Sequence, residues 1–443
     1  MYSSGAGRWL SPIVDVDSPR VSRQQRMSGI FTHQRRPRAL MQLRINFRQF
    51  DASFWRYLAS FSVLSVGVFI FAELYPLFML DRGASVVVIG NASLALNVGS
   101  IAGTIPAVVL MRLLGLKGAI VLSLVGVSLA SAARLWHTSD PMVYGGAFAA
   151  GFFFAVLNVG IAVAVSGLTV PANRALGFSW FFGVTIVSGF LGDLVGSEVP
   201  GLIATLSGDN VPGDAKLVAA LFACGISLAS VIPAAGLRFS RSGRREKLSF
   251  PRDTATLRLL IAIGVWNFAV GLFTPFYTLY FSVKLGESVR AIGVDLASGQ
   301  IVGAIFTMLA PACIARWGTV QSVRSMMVVA GVCSLWLAVS VSMVGAALGY
   351  VIYMGCVAMA QPPLNTRLMN QVSNEEQTGA SMLSSLFSFS AVAAGGYTGG
   401  RLINALGFEG MLALAGACCL FASFVFIVMV KKSSIAGDGR VAV

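Results

Sequence analysis

Twelve apolar blocks of about 20 residues dominate this chain, the length that crosses the hydrocarbon core of a bilayer. They cover residues 57–80, 85–108, 117–136, 142–167, 178–203, 215–237, 257–283, 289–312, 322–343, 346–368, 380–403 and 408–430. In lipid every backbone N–H and C=O must find its partner inside the segment, and at this length the α-helix does that. The chain is 56% apolar and 11% charged over 443 residues, so no soluble fold could hide its apolar surface. The sequence predicts an all-α integral membrane protein with twelve transmembrane helices. Disorder, collagen, coiled coil and a secreted disulfide scaffold are excluded for the chain as a whole.

The polar breaks set the organisation. Residues 1–56 form an Arg-rich tail, for which Met27 or Met41 would be an alternative start. The longest internal break, Arg238–Arg258, carries seven basic residues against Glu246 and Asp253 and divides the spans six and six. The domains read from this are a tail at 1–56, a first bundle at 57–237, a basic linker at 238–256, a second bundle at 257–430 and a short tail at 431–443. With the linker on the cytoplasmic side, 26 of the 32 lysines and arginines fall on that side. That bias predicts both termini in the cytoplasm. The net charge of +14 is then a matter of membrane orientation and not of nucleic-acid binding.

The two halves share a register. Gly83, Gly90, Gly115, Gly146, Gly192 and Gly196 recur 203 residues later as Gly286, Gly293, Gly318, Gly349, Gly395 and Gly399. A parallel repeat of six helices lets two similar bundles rock about a site between them, near the bilayer midplane.

The element Gly83-x-Ser85-x-x-x-Ile89-Gly90, repeated from Gly286 to Gly293, resembles a pattern of the major facilitator superfamily. The basic central loop and the six-plus-six layout are similar to that superfamily as well. The resemblance implies two six-helix bundles related by a parallel repeat, and transport by alternating access. The superfamily's loop motif between spans two and three survives here as Arg112, Gly115 and Lys117, with Met111 in place of the acid. Its second copy keeps Arg316 and Gly318, with Ala315 in place of the acid. Span five resembles the glycine signature of drug/proton antiporters through Gly183, Gly192 and Gly196. Span eleven repeats its end as Gly395, Gly399 and Gly400. These glycines imply a packed, hinged seam, with plain helix packing as the alternative; Arg112 and Arg316 imply a gate.

Ionisable groups within spans are costly and point to function. Glu73 lies about 24 Å along the helix from Tyr57, beside Pro76. A carboxyl partly desolvated in a cavity there can take up and release a proton. The resemblance implies an acid of span one as a proton carrier, and a structural hydrogen-bond acceptor is the alternative. Asp193 in span five is the second candidate. Asn97, Asn158, Asn267, Gln300, Gln361 and Asn365 are candidates for lining a substrate cavity, the alternative being bonds between helices. Asn97 pairs with Gln300, and Asn158 with Gln361, at the offset of 203. Tyr277 belongs to an aromatic cluster in span seven, with packing as its other use. Arg134 counts as an outer-side residue, and no lysine or arginine stands out as central to a span.

No metal site is predicted, because His33 and His137 are isolated and the six cysteines sit inside apolar blocks. No cofactor is expected. No nucleophile is set beside a base, so the chain is not expected to be an enzyme. The expectation is a monomeric transporter in the cell membrane, the inner membrane of a bacterium. Its partners would be protons, a small-molecule substrate and the lipid bilayer. It would export a small amphipathic organic compound by proton coupling. Uptake or facilitated passage of a sugar, an organic acid or another small metabolite is the alternative.

Overall fold

The computed structural model describes residues 50–136, 140–170, 173–207, 215–239, 249–373 and 376–438. The expected tail at 1–49 and most of the central linker lie outside these residues. Among the described residues there are helices and turns and no strand.

The first half contains α1 (Ala52–Asp81), α2 (Val86–Leu113), α3 (Gly115–Trp136), α4 (Asp140–Leu168), α5 (Arg174–Ser207), α6 (Ala215–Ala229) and the short α7 (Val231–Ala235). α6 and α7 together make one span, Ala215–Ala235. The second half opens with α8 (Thr254–Phe273), which runs through a 3₁₀ turn at Thr274–Phe276, the short α9 (Tyr277–Leu279) and a π-helical turn at Tyr280–Lys284. α10 (Val289–Trp317), α11 (Thr319–Val339), α12 (Met343–Gln371) and α13 (Gln377–Asp438) follow. α13 is two spans in one. Gly407 breaks it with φ 71°, a left-handed value that a side chain disfavours. Eleven helices among the described residues are long and apolar enough to cross a membrane, and the break at Gly407 divides the last of them, giving twelve spans. α1 starts at Ala52, ahead of the expected 57, and α13 extends past 430 to Asp438.

Large side chains such as Leu206, Met308, Ile232 and Val341 are mostly exposed, as lipid-facing residues must be. Inside, Trp266, Tyr57, Phe54 and Phe273 are fully buried.

The repeat is visible in the local chemistry. Gly83 and Gly286 both take positive φ, 79° and 70°. Ser85 and Ser288 then cap the next helix, accepting hydrogen bonds from the backbone N–H of Val88 and of Ala291. Such caps satisfy N–H groups that the first turn leaves orphaned. Gly115 and Gly318 form the second positive-φ pair, at 71° and 77°.

The repeat also governs packing. In the first half α1 lies on α5 and α6, and α2 on α4. In the second, α8 lies on α13, and α10 on α12. The halves meet at two seams, α2 against the 377–406 arm of α13, and α5 against α10. Gly90 of α2 faces Gly396 and Gly400, while Gly293 of α10 faces Asp193 and Ser197. All three positions of one seam sit 203 residues from their counterparts in the other. A Cβ on Gly90 would come within 2.7 Å of the Gly396 carbonyl, so this close approach needs glycine.

Candidate functional site

The side of the molecule that carries residues 50, 238–239 and 249–254 is the linker side; the opposite face is the far side. Both glycine contacts fall in the opening turns of α2 and α10, near the far side. Two polar bridges lie beside them. Glu198 of α5 pairs with Arg290 of α10 at 2.7 Å. Arg401 of α13 donates to Asn91 Oδ1 of α2 at 3.2 Å and lies over the Tyr397 ring. Positions 198 and 401 are again 203 apart. Each seam is therefore held at the far side by contacts between the halves.

Beneath this closure lies a cluster of carboxyl and amide groups. Glu73 of α1 is 1% exposed, and neither of its carboxylate oxygens has a hydrogen-bond partner among the described residues. Its carboxyl rests against Gly196 of α5, where a Cβ would strike Oε2. Asp193, one turn away on α5, is also buried and within electrostatic reach of Glu73. Gln300 of α10 crosses the seam and donates from Nε2 to Asp193 Oδ2 at 3.4 Å. Three residues read separately from the sequence thus meet, and they join the two halves.

A second polar group lies in the second half. Gln361 and Asn365 of α12 line a cavity of about 210 Å³ with Ile263 and with Ser384, Ser385 and Ser388 of α13. Asn267 donates to Ser388 Oγ at 3.3 Å and to the Ile263 carbonyl at 2.8 Å. Pro362 and Pro363 lie inside α12 beside Gln361, and the helix continues through them. Proline removes a helix hydrogen bond and opens the backbone there.

The other expected residues are scattered. Asn97 is buried and donates back to the Ser93 carbonyl at 2.8 Å. Asn158 is exposed and donates to the Phe154 carbonyl. Tyr277 is half-buried, with its ring 4.5 Å from that of Phe273 and 5.1 Å from that of Tyr350. Gly192 packs on Phe69 and Val66 of α1, and Gly395 on Phe268 and Gly271 of α8. Gly399 and Gly400 also make close contacts, whereas Gly183 faces open space. Arg112 and Arg316 are exposed in the last turns of α2 and α10.

The structure corrects the expectation for Arg134. It is 6% exposed inside the first half, lying over the Tyr75 ring at 3.9 Å and the Phe71 ring at 5.2 Å. Two aromatic faces hold the cation where an ionic partner is not required. The residue lies near the end of α3, so its position in the chain resembles that of a loop residue. The serines of α13 were missed as well; their one signal is a Ser-rich face spaced three and four residues apart.

Two six-helix halves, joined along glycine seams over buried polar groups, define a multi-pass membrane transporter. The chain belongs to the Major Facilitator Superfamily, whose sequence pattern matches residues 57–396. No curated protein sequence matches it. Among solved structures it is similar to the nucleoside transporter NupG, with TM-score 0.65 and 12% identity over 86% of this chain and 98% of that one. It is also similar to a D-xylose-proton symporter, with TM-score 0.67 and 13% identity over 84% and 96%. The human organic anion transporter MFSD10 gives TM-score 0.55 and 16% identity over 84% and 99%.

Proposed function

We propose that the protein is a proton-coupled secondary transporter of a small, uncharged or amphipathic organic solute. The observation that carries this is Glu73, a buried carboxyl with no hydrogen-bond partner among the described residues, set beside Asp193, whose bond to Gln300 bridges the halves. A lone carboxylate in such a place is costly, and protonation removes the cost. Proton loading at Glu73 would therefore bias the balance between the two rocking states. Asp193 and Gln300 would sense that change, because their contact lies across the moving seam. The amides and serines of α8, α12 and α13 would bind the solute.

Export is the direction we assign, on the glycine spacing of α5. Uptake symport is the second reading. It is favoured by the cavity lined by Gln361, Asn365 and three serines, which suits a hydroxylated solute, and a D-xylose-proton symporter has a similar fold. We place the protein in a bacterial inner membrane, as a monomer with cytoplasmic termini.

Inverted membrane vesicles with an imposed proton gradient test the assignment. A panel of small organic compounds is added while a pH dye is read, with wild type and Glu73→Gln side by side. A compound that discharges the gradient only in wild type supports proton-coupled export. Labelled solute that crosses with no change in the gradient sinks proton coupling and leaves a uniporter.

A further inference from the structure

A pocket of about 480 Å³ opens at the linker-side face of the first half, away from both polar groups described above. It lies where the start of α1, the start of α3 and the segment after α7 come together. Its charged lining residues are Arg56, Lys117 and Arg238, with no acidic side chain among them. Two of the cations are tethered by neutral groups. Arg56 donates from Nη1 to the Gly236 carbonyl at 2.8 Å, and Lys117 Nζ donates to the Ala235 carbonyl at 2.5 Å. These bonds fix the side chains and leave the charge uncancelled. Each cation also keeps further N–H groups free of those carbonyls, since a guanidinium has five and an ammonium three. Ile232, Pro233 and Leu237 form the rest of the wall, and Ile232 is 76% exposed. Arg56 and Lys117 sit in the opening turns of their spans, which places them where helices leave the hydrocarbon.

We propose that this pocket binds the phosphate of an anionic phospholipid. Arg56, Lys117 and Arg238 would hold the headgroup, with an acyl chain descending along Ile232. A fixed guanidinium presents paired N–H donors that match phosphate oxygens, and basic pockets between helices at this depth recruit acidic headgroups. The apolar wall favours a lipid over a free phosphate, because only a lipid covers both surfaces at once.

The test uses the full chain purified in detergent. Phosphatidylglycerol and phosphatidylcholine with the same acyl chains are titrated, and native mass spectrometry counts the lipids retained. Wild type should prefer phosphatidylglycerol about tenfold or more, with each cation removed costing about fivefold. Arg56→Gln/Lys117→Gln should erase that preference. Arg252→Gln/Arg258→Gln removes the same charge at the linker-side end of the second half and should keep it. Thermal unfolding in lipid-free detergent checks that each variant is folded, and Lys117→Gln alone serves if the double variant is not. Equal retention of the two lipids by wild type overturns the proposal. An equal loss of preference in both double variants does so too, since it makes the effect one of diffuse charge. Displacement of phosphatidylglycerol by millimolar inorganic phosphate overturns the lipid assignment and leaves a free-phosphate site.

Discussion

Glu73 and Phe276 occupy the same place in the two halves of the molecule. They are 203 residues apart, and each lies against a glycine of the neighbouring span, Gly196 under one and Gly399 under the other. One site holds a carboxyl without a hydrogen-bond partner, and the other holds a fully buried phenyl ring. The same division extends around them. Asp193 and Ser197 in the first half correspond to Gly396 and Gly400 in the second. The packing register is duplicated and the chemistry is not; the backbone differs too, since Glu73 lies in unbroken helix and Phe276 ends a 3₁₀ turn. A parallel repeat therefore separates two demands that a single bundle merges: where its halves agree they serve packing, and where they differ they are free to serve transport.

The largest expected effect is at that pair. Glu73→Gln should lower proton-coupled flux at least about tenfold, equivalent to about 1.4 kcal/mol. Phe276→Leu, a change of packing alone, should cost under about 1.5 kcal/mol of stability and leave coupling intact. Flux and dye discharge in the same vesicles separate the two results. Equal loss of coupling in both would remove the distinction between the halves.

The seam glycines come next. A Cβ on Gly293 would overlap Ser197 and approach the Asp193 carbonyl at 2.7 Å, whereas at Gly90 the first obstacle is the Gly396 carbonyl. Gly293→Ala should destabilise the far-side closure by about 1–3 kcal/mol, and Gly90→Ala by less. A disulfide engineered across each seam, with its cross-linking yield as readout, ranks them.

A smaller effect is expected at Glu287, where the first half has Ala84. Burial, and then the neighbouring Asp295 carboxyl, push the Glu287 carboxyl above the usual carboxylate range. The folded chain thus holds this proton more tightly than the unfolded one does. The associated stability is complete in acid and falls as pH rises toward neutrality. Thermal unfolding followed from pH 5 to 8 should show that fall in wild type and a flatter profile in Glu287→Ala.

The weakest effect concerns the exposed Glu198–Arg290 pair, whose partners are 57% and 76% exposed. Glu198→Gln should change stability by about 0.2–1 kcal/mol, and less at high salt. A larger loss in a denaturation series would show that this bridge holds its seam beyond what an exposed pair ordinarily contributes.

The spans were legible because apolar length is a property of composition, and the register because Gly83, Gly115, Gly286 and Gly318 sit where backbone geometry demands them. Glu73 stood out because an ionisable group in a long apolar run has few bland uses. Its neighbours were not legible. Contact between Glu73, Gly196, Asp193 and Gln300 depends on how three helices are rotated about their axes, and spacing along one helix leaves that rotation open. Gly183 shows the same gap. Its spacing matched a packing motif, yet a glycine carries no side chain to say which face is buried, and this one meets nothing. Arg134 was counted by side alone, because nothing along one helix reveals the two rings that enclose it.

The amide groups carry one more consequence. Asn97, Asn158 and Asn267 each donate to the carbonyl four residues back, on Ser93, Phe154 and Ile263. One of the two N–H groups of each amide is engaged by its own helix, Asn267 also reaches Ser388 of α13, and each keeps a carbonyl oxygen with two lone pairs. Gln300 likewise donates to a carboxylate. On these amides acceptor positions outnumber the donors left free. If they face a solute, they would favour one that arrives with hydroxyl or amine hydrogens over one that offers only acceptors. Selectivity of that kind needs no charge on the solute and would survive a change in its size.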